Sequence, residues 1–171
     1  RFPRIACRVH AGTTAERMAV AGYRLATPRE PAPGPGRCAP FGERHLELLL
    51  AWSEAFGHET GLADERPAPA TVAGWISEGR VHGWWVDGEP VAATLLARET
   101  PRTCTLTFVW TPAEHRRRGH AARLVATLGR RIVDEGRTPV LFADRAYEPS
   151  NALYRGLDYE VVGCWRTLQL A

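Results

Sequence analysis

Arg116, Arg117, Arg118, Gly119 and Ala121 stand between an apolar run and an amphipathic stretch. The run is Leu106 to Trp110, Thr111 and Pro112 end it, and the amphipathic stretch covers about 121–133. A strand that feeds a Gly-containing turn at a helix start is an anion site in outline. Unpaired N–H groups point outward there, and the helix dipole favours negative charge. Arg116 and Arg118 add planar guanidinium groups suited to phosphate oxygens. Gly119 lets the backbone come close to a ligand, and Ala121 keeps the first turn uncrowded. The competing reading is a solvated basic helix start, which arginine clusters usually are. The order strand, Thr-Pro, Arg-x-x-Gly-x-Ala, helix is narrower than charge alone. It is neither the Gly-Lys-Ser/Thr phosphate loop nor the Gly-x-Gly-x-x-Gly fingerprint.

A second constellation lies downstream. Asn151 and Tyr154 are three residues apart, so on a helix they share one face. By themselves they could be packing residues. Together the two segments resemble the GNAT (Gcn5-related N-acetyltransferase) superfamily. Arg116–Ala121 matches that family's Arg/Gln-x-x-Gly-x-Gly/Ala signature for acetyl-CoA. Pro149-Ser150-Asn151-Ala152-Leu153-Tyr154, with Tyr159 beyond, is similar to its second signature. The likeness covers about residues 36–171, with its motifs concentrated in 106–160. One position departs: Asp158 stands where the family usually has Gly. The site follows a short helix and calls for a left-handed backbone, which Asp tolerates better than most side chains.

The resemblance implies acetyl-CoA as co-substrate and an N-acetyltransferase activity on a small-molecule or peptide amine. Val109, Trp110 and Thr111 would pair with the pantetheine arm. Arg116, Arg117, Arg118, Gly119, His120 and Ala121 would take the pyrophosphate. Asn151 and Tyr154 complete the cofactor residues, with Tyr154 as acid toward the leaving thiolate and the backbone N–H near Val109 polarising the carbonyl. No enzyme nucleophile is needed. Many relatives carry a Glu in the strand before the phosphate turn, whereas 103–110 here holds no acid. Asp144, Glu148, Glu54, Glu59 and Asp64 are the remaining carboxylate candidates for a base, each more often a surface or capping group. His115 and His120 flank the turn, in a solvated or phosphate-facing role. For the acceptor, the loop 57–69, the hairpin at Trp84–Gly88 and the last strand are the expected walls, with Trp84, Trp85 or Trp110 lining them. Glu59, Asp64 and Glu65 hint at a cationic amine.

Composition sets outer bounds. A chain of 171 residues with 44% hydrophobic content holds a core of ordinary domain size. A net charge of +3 is too small a bias for nucleic acid, and helix-turn-helix and zinc patterns are missing. All 22 basic residues are arginine, as in a GC-rich, bacterial coding sequence. Cys7, Cys38, Cys104 and Cys164 form no Cys-x-x-Cys pair, so free thiols in a reducing cytoplasm are expected and no metal. No apolar run reaches the length of a membrane span. Family members often dimerise, so a homodimer is an expected partner state, although the sequence marks no interface.

The pattern predicts helices at 43–57, 71–77, 121–134 and 151–157. Strands are expected at 81–86, 90–98, 103–110, 140–143 and 160–170, with Asp87-Gly88 as a hairpin turn. Residues 15–26 fit a strand or a helix. Residues 1–35 read as an N-terminal extension or the tail of a preceding module, joined by a Pro/Gly-rich connector over 27–40 to a catalytic domain at 36–171. This is an α/β (α+β) layer fold. The resemblance makes it a mixed, mostly antiparallel central sheet flanked by helices, with two central strands splayed. Two other readings compete with the enzyme: a non-catalytic acyl-CoA-binding module, favoured only by the missing strand carboxylate, and a nucleic-acid binder using Arg116–Arg118.

Overall fold

In the computed structural model, which describes residues 14–170, side-chain alternation sorts the strands between two helical layers. Ala92 and Leu96 of one central strand join one apolar cluster, and Ala93 and Leu95 join the other. The strands are β1 (Thr14–Leu25), β2 (Arg37–Pro40), β3 (Val81–Val86), β4 (Glu89–Ala97), β5 (Thr103–Trp110), β6 (Thr138–Asp144) and β7 (Tyr159–Leu170). They form one sheet in the order β2-β3-β4-β5-β6-β1-β7. Only β5 and β6 pair in parallel; the other neighbours are antiparallel. The helices are α1 (Leu46–Thr60), α2 (Pro69–Ser77), α3 (His120–Asp134) and α4 (Glu148–Gly156).

On one face Leu49 of α1 and Val72 and Ile76 of α2 pack on Val81 of β3, Leu95 of β4 and Phe108 of β5. On the other, α3 presents Leu124, Leu128 and Ile132 at i, i+4 and i+8, all fully buried. Each such side chain contributes roughly 1.5–3 kcal/mol by leaving water. The Asp87-Gly88 turn has positive φ at both residues (51° and 88°), as a tight hairpin turn requires. Asp158 has φ of 61°, the left-handed backbone expected after a short helix.

Two features differ from the sequence reading. Arg37–Pro40, assigned to the connector, is an edge strand on β3, a place that tolerates a terminal proline. The stretch 15–26, which fits a strand or a helix by sequence, is strand through Leu25, as part of β1, which sits inside the sheet between β6 and β7. Alternate residues Ala21, Tyr23 and Leu25 are buried on the α3–α4 side. The sheet therefore does not divide at residue 35. The connector is tied down as well. The Arg29 guanidinium pairs with Asp158 (2.7 Å through Nη2), Glu30 pairs with Arg130, and Trp84 donates from Nε1 to the Pro35 carbonyl at 2.9 Å.

Candidate active site

Register alone defines a cleft. β5 and β6 pair from Thr103/Thr138 to Leu106/Leu141 and then part. Beyond that point β5 continues against β4, through Ala93 and Trp110, while β6 continues against β1, from Gly22/Phe142 to Val20/Asp144. The parting leaves an opening at the carboxyl ends of the two parallel strands, where open sheets bind ligands. A bulge in β5 sharpens it. Leu95 faces Thr107 and Ala93 faces Trp110, so Phe108 and Val109 lie opposite a single residue. Phe108 adopts φ of 52°, a strained value for an aromatic residue. An edge-on contact with Phe56 at 5.3 Å holds it there.

Past Trp110 the chain turns through Thr111 and a buried Pro112, makes a short 3-10 turn at Ala113–His115, and enters α3. Arg117 (φ 59°) and Gly119 (φ 76°) are both left-handed. Left-handed residues in a turn curve successive N–H groups into an anion-binding concavity. The first-turn N–H groups of His120, Ala121 and Ala122 have no helical acceptor behind them. Buried polar atoms without a protein partner also collect here: Trp110 Nε1, Thr111 Oγ1, His115 Nδ1 and His120 Nδ1. His120 opens α3 and is buried, and desolvation and then the Arg123 charge lower its pKa, so its imidazole is neutral. Donors at a helix start, left-handed turns and unpaired polar groups fit a pyrophosphate-bearing co-substrate such as acetyl-CoA.

The three arginines divide. Arg116 folds back: Nε donates to the Thr111 carbonyl at 2.9 Å, Nη2 pairs with Glu59 at 2.7 Å, and the guanidinium lies 5.0 Å from the centre of the Trp110 ring. The hydrogen bond to Glu59 raises its pKa further. Arg117 and Arg118 are exposed, with no side-chain partner among the described residues. Arg123 carries a role the motif does not mark. It donates to the Arg118 carbonyl at 2.8 Å and to the connector carbonyls of Ala32 and Pro33 at 3.2 and 3.3 Å. It thus couples the turn to the connector. Its side chain also lies against Gly119, where an added Cβ would come within 3.3 Å of Nη1.

On the other side of the cleft Asn151 is buried and fully engaged. Its Oδ1 accepts from the Tyr23 hydroxyl at 2.6 Å. Its Nδ2 donates to the carbonyls of Asp144 and Tyr147, at 2.8 and 2.9 Å, and of Arg145 at 3.3 Å. Asn151 therefore shapes the loop that leaves β6. Tyr154, one turn on, is also buried, against Tyr23 (5.6 Å between ring centres) and Tyr159 (6.1 Å). Burial pushes its phenol up to about 12, partly offset by a hydrogen bond with Ser150, so it holds its proton at neutral pH.

Among the carboxylates, Glu54 pairs with Arg66 at 2.8 Å and Glu148 pairs with Arg155. Asp144 caps its own turn through the Ala146 N–H at 2.9 Å. Glu59 differs. From the last turn of α1 it reaches Arg116 after β5 and the Tyr147 hydroxyl (3.3 Å) after β6, bridging both loops at the open end.

A cavity of about 190 Å³ lies between α1, α2 and the β3–β5 face, with Thr107 and Phe108 of the bulge in its wall. The loop 57–69 contributes Gly57, Leu62, Arg66 and Pro67. The hairpin at Trp84–Gly88 and the last strand do not line it, and neither do Trp84, Trp85 and Trp110. Trp84 joins the α3-side core, whereas Trp85 packs on Phe41 and donates to the Ala39 carbonyl. No carboxylate lines the cavity. Strand register could not reveal this, because the cavity forms where helices distant in sequence meet the bulge. Among the described residues no group of three or more metal-ligating side chains occurs, and no helix is long and apolar enough to cross a membrane.

Residues 88–168 match the family model of FR47-like proteins. No curated protein sequence matches the chain. Among solved structures, a GNAT-family acetyltransferase from Colwellia psychrerythraea superposes with TM-score 0.68 at 14% identity, covering 92% of this chain and 56% of its own. A GCN5-related N-acetyltransferase from Sphaerobacter thermophilus does so with TM-score 0.72 at 15% identity, covering 91% and 52%. The chain thus spans about half the length of these two. A ribosomal-protein-alanine N-acetyltransferase from Brucella melitensis biovar Abortus 2308 matches with TM-score 0.59 at 18% identity, over 79% of this chain and 99% of its own. At these identities the likeness is one of fold. An FR47-like segment at 88–168 thus sits within a fold shared with solved GNAT-family acetyltransferase structures.

Proposed function

We propose that the protein is an acetyl-CoA-dependent N-acetyltransferase acting on a primary amine of a small molecule or peptide. The observation that carries this reading is the cleft. Two parallel strands part at their carboxyl ends, and the mouth collects a left-handed turn, a helix N-terminus and unpaired polar atoms. Acetyl-CoA supplies the activated acyl group. The backbone N–H groups of residues 117–121 and the side chains of Arg117 and Arg118 bind its pyrophosphate, with charge-assisted hydrogen bonds giving much of the affinity. Val109, Trp110 and Thr111 offer backbone groups on the unpaired edge of β5 to the pantetheine arm. The bulge at Phe108 aims the Val109 N–H at the thioester oxygen, where charge develops.

The acceptor nitrogen attacks the carbonyl carbon directly. A C–N bond forms, the C–S bond breaks, and the nitrogen gives up one proton while the departing sulfur takes one. Tyr154 donates the second proton, and its raised pKa keeps it in the donor form. Glu59, through water, is the acceptor of the first. Asn151 and Arg116 position rather than react: Asn151 holds the loop after β6, and Arg116 holds the loop after β5. The free thiols of Cys38 and Cys104 suit a reducing cytoplasm.

The test is a panel of amines incubated with acetyl-CoA, following thiol release. Turnover is expected on at least one amine, and Tyr154→Phe should lower kcat at least tenfold, the lower end of what general acid catalysis contributes. An unchanged kcat in that variant removes Tyr154 from the acid role. Stoichiometric acetyl-CoA binding without turnover on any amine replaces the enzyme reading with a binding module.

A further inference from the structure

We propose that the amine acceptor carries an aryl or branched-alkyl group, which fills the cavity between α1 and α2. The inference rests on the acetyltransferase reading and names the substrate class for it. The cavity walls are chiefly Leu49, Phe56, Val72, Trp75, Leu95 and Phe108. Their polar company is Ser53, Thr107 and the guanidinium of Arg66. The charged group in the lining is therefore a cation, and it already pairs with Glu54 at 2.8 Å. A second positive charge entering here would lose its hydration and find no carboxylate. This sets aside the cationic amine hinted at by Glu59 and Asp64, since neither acid lines the cavity.

Size narrows the class further. A dry apolar cavity of roughly 150 Å³ accommodates benzene. The volume here, about 190 Å³, accommodates one ring or branched chain with a carbon or two beyond it. Position supplies the rest. Thr107 and Phe108 form part of the wall, and the next residue is Val109, whose N–H is assigned to the thioester oxygen. An amine joined to the buried group by one or two carbons leaves the cavity at the bulge, beside the reacting carbonyl. This chemistry has two sources: a free arylalkylamine, or a peptide whose first residue is Phe or Leu.

The experiment measures kcat/KM with acetyl-CoA for phenethylamine, isopentylamine, propylamine, spermidine and an aminoglycoside. Two short peptides that differ only in first residue, Phe or Asp, separate the sources. Phenethylamine or the Phe peptide is expected to exceed propylamine and spermidine at least tenfold, the scale on which apolar pockets sort substrates by methylene groups. Ser53→Leu fills the cavity from α1, at a half-buried position that leucine suits as a helix former. Val72→Phe fills it from α2. Either variant should lower the phenethylamine-to-propylamine ratio at least tenfold. Preference for spermidine or the aminoglycoside, or an unaltered ratio in both folded variants, overturns the proposal. If no amine is acetylated, the acetyltransferase reading fails by itself, and calorimetry still decides the cavity. Phenethylamine binding tenfold tighter than propylamine, and weakened tenfold by Ser53→Leu, supports it, whereas equal affinities overturn it.

Discussion

Two regions around the cleft are built from opposite materials. The mouth, formed by the 111–121 turn and, across from it, α4, is polar. It holds three arginines, a left-handed turn and an asparagine bonded to three carbonyls. The region formed by α1 and α2 is a pocket of aromatic and branched aliphatic side chains without a carboxylate in its wall. β5 serves both: its strained Phe108 lines the apolar cavity, and the next residues lead into the polar turn. A polar site must satisfy each donor with particular residue types at particular spacings. An apolar site needs only volume and shape, which many sequences supply.

The comparison can be broken most strongly at Asn151. Asn151→Leu leaves the buried Tyr23 hydroxyl without its acceptor and takes one donor from each of the Asp144, Arg145 and Tyr147 carbonyls, at a cost of about 3 kcal/mol. Denaturant unfolding measures this, and acetyl-CoA affinity should fall with the loop's loss of order. A loss below 1 kcal/mol would mean the loop holds itself. Next, Arg118→Ala should weaken acetyl-CoA binding roughly tenfold, the scale of one charge-assisted contact, and more so at low salt. Acetyl-pantetheine, which lacks the pyrophosphate, should bind the variant and the parent alike; equal loss on both ligands would detach Arg118 from the phosphates.

Acid acts on the α3 side of the sheet. His82 is buried, and desolvation and then the Arg131 charge lower its pKa from 6.5. The unfolded chain therefore binds a proton that the native state resists, and stability falls as pH drops below about 6.5. His82→Gln should flatten that slope in melting curves taken from pH 7 to pH 5; an unchanged slope would point to other groups. The smallest effect is expected at Asp158→Gly. The exchange removes an exposed pair with Arg29 but also relieves a left-handed non-glycine backbone. The net change should lie within about 0.5 kcal/mol, and a larger loss by thermal melting would show that the connector depends on this anchor.

How far the sequence could be read follows the same division. The 116–121 turn and the 151/154 pair were legible because both are local spacings, one on a turn and one on a helix face. The β3–β4 hairpin was legible from Asp87-Gly88. The strand at 37–40 was hidden because four residues among prolines carry no alternation. The partners of Arg116 and Arg123 were hidden because Glu59 and the connector carbonyls lie far away along the chain. Whether 15–26 was strand or helix depended on neighbours that no short window contains.

That last placement bears on how the molecule is made. β1 is synthesised well before β6 and β7, the two strands that flank it, and Tyr23 and its hydrogen-bond partner Asn151 are 128 residues apart. Closing a segment that long costs on the order of 4 kcal/mol in chain entropy. A nascent chain leaving the ribosome carries Tyr23 and Leu25 without their partners until β6, α4 and β7 emerge. The sheet is sealed late, and refolding should run on the slow timescale of nonlocal pairing, milliseconds to seconds, even though every helix can form within microseconds.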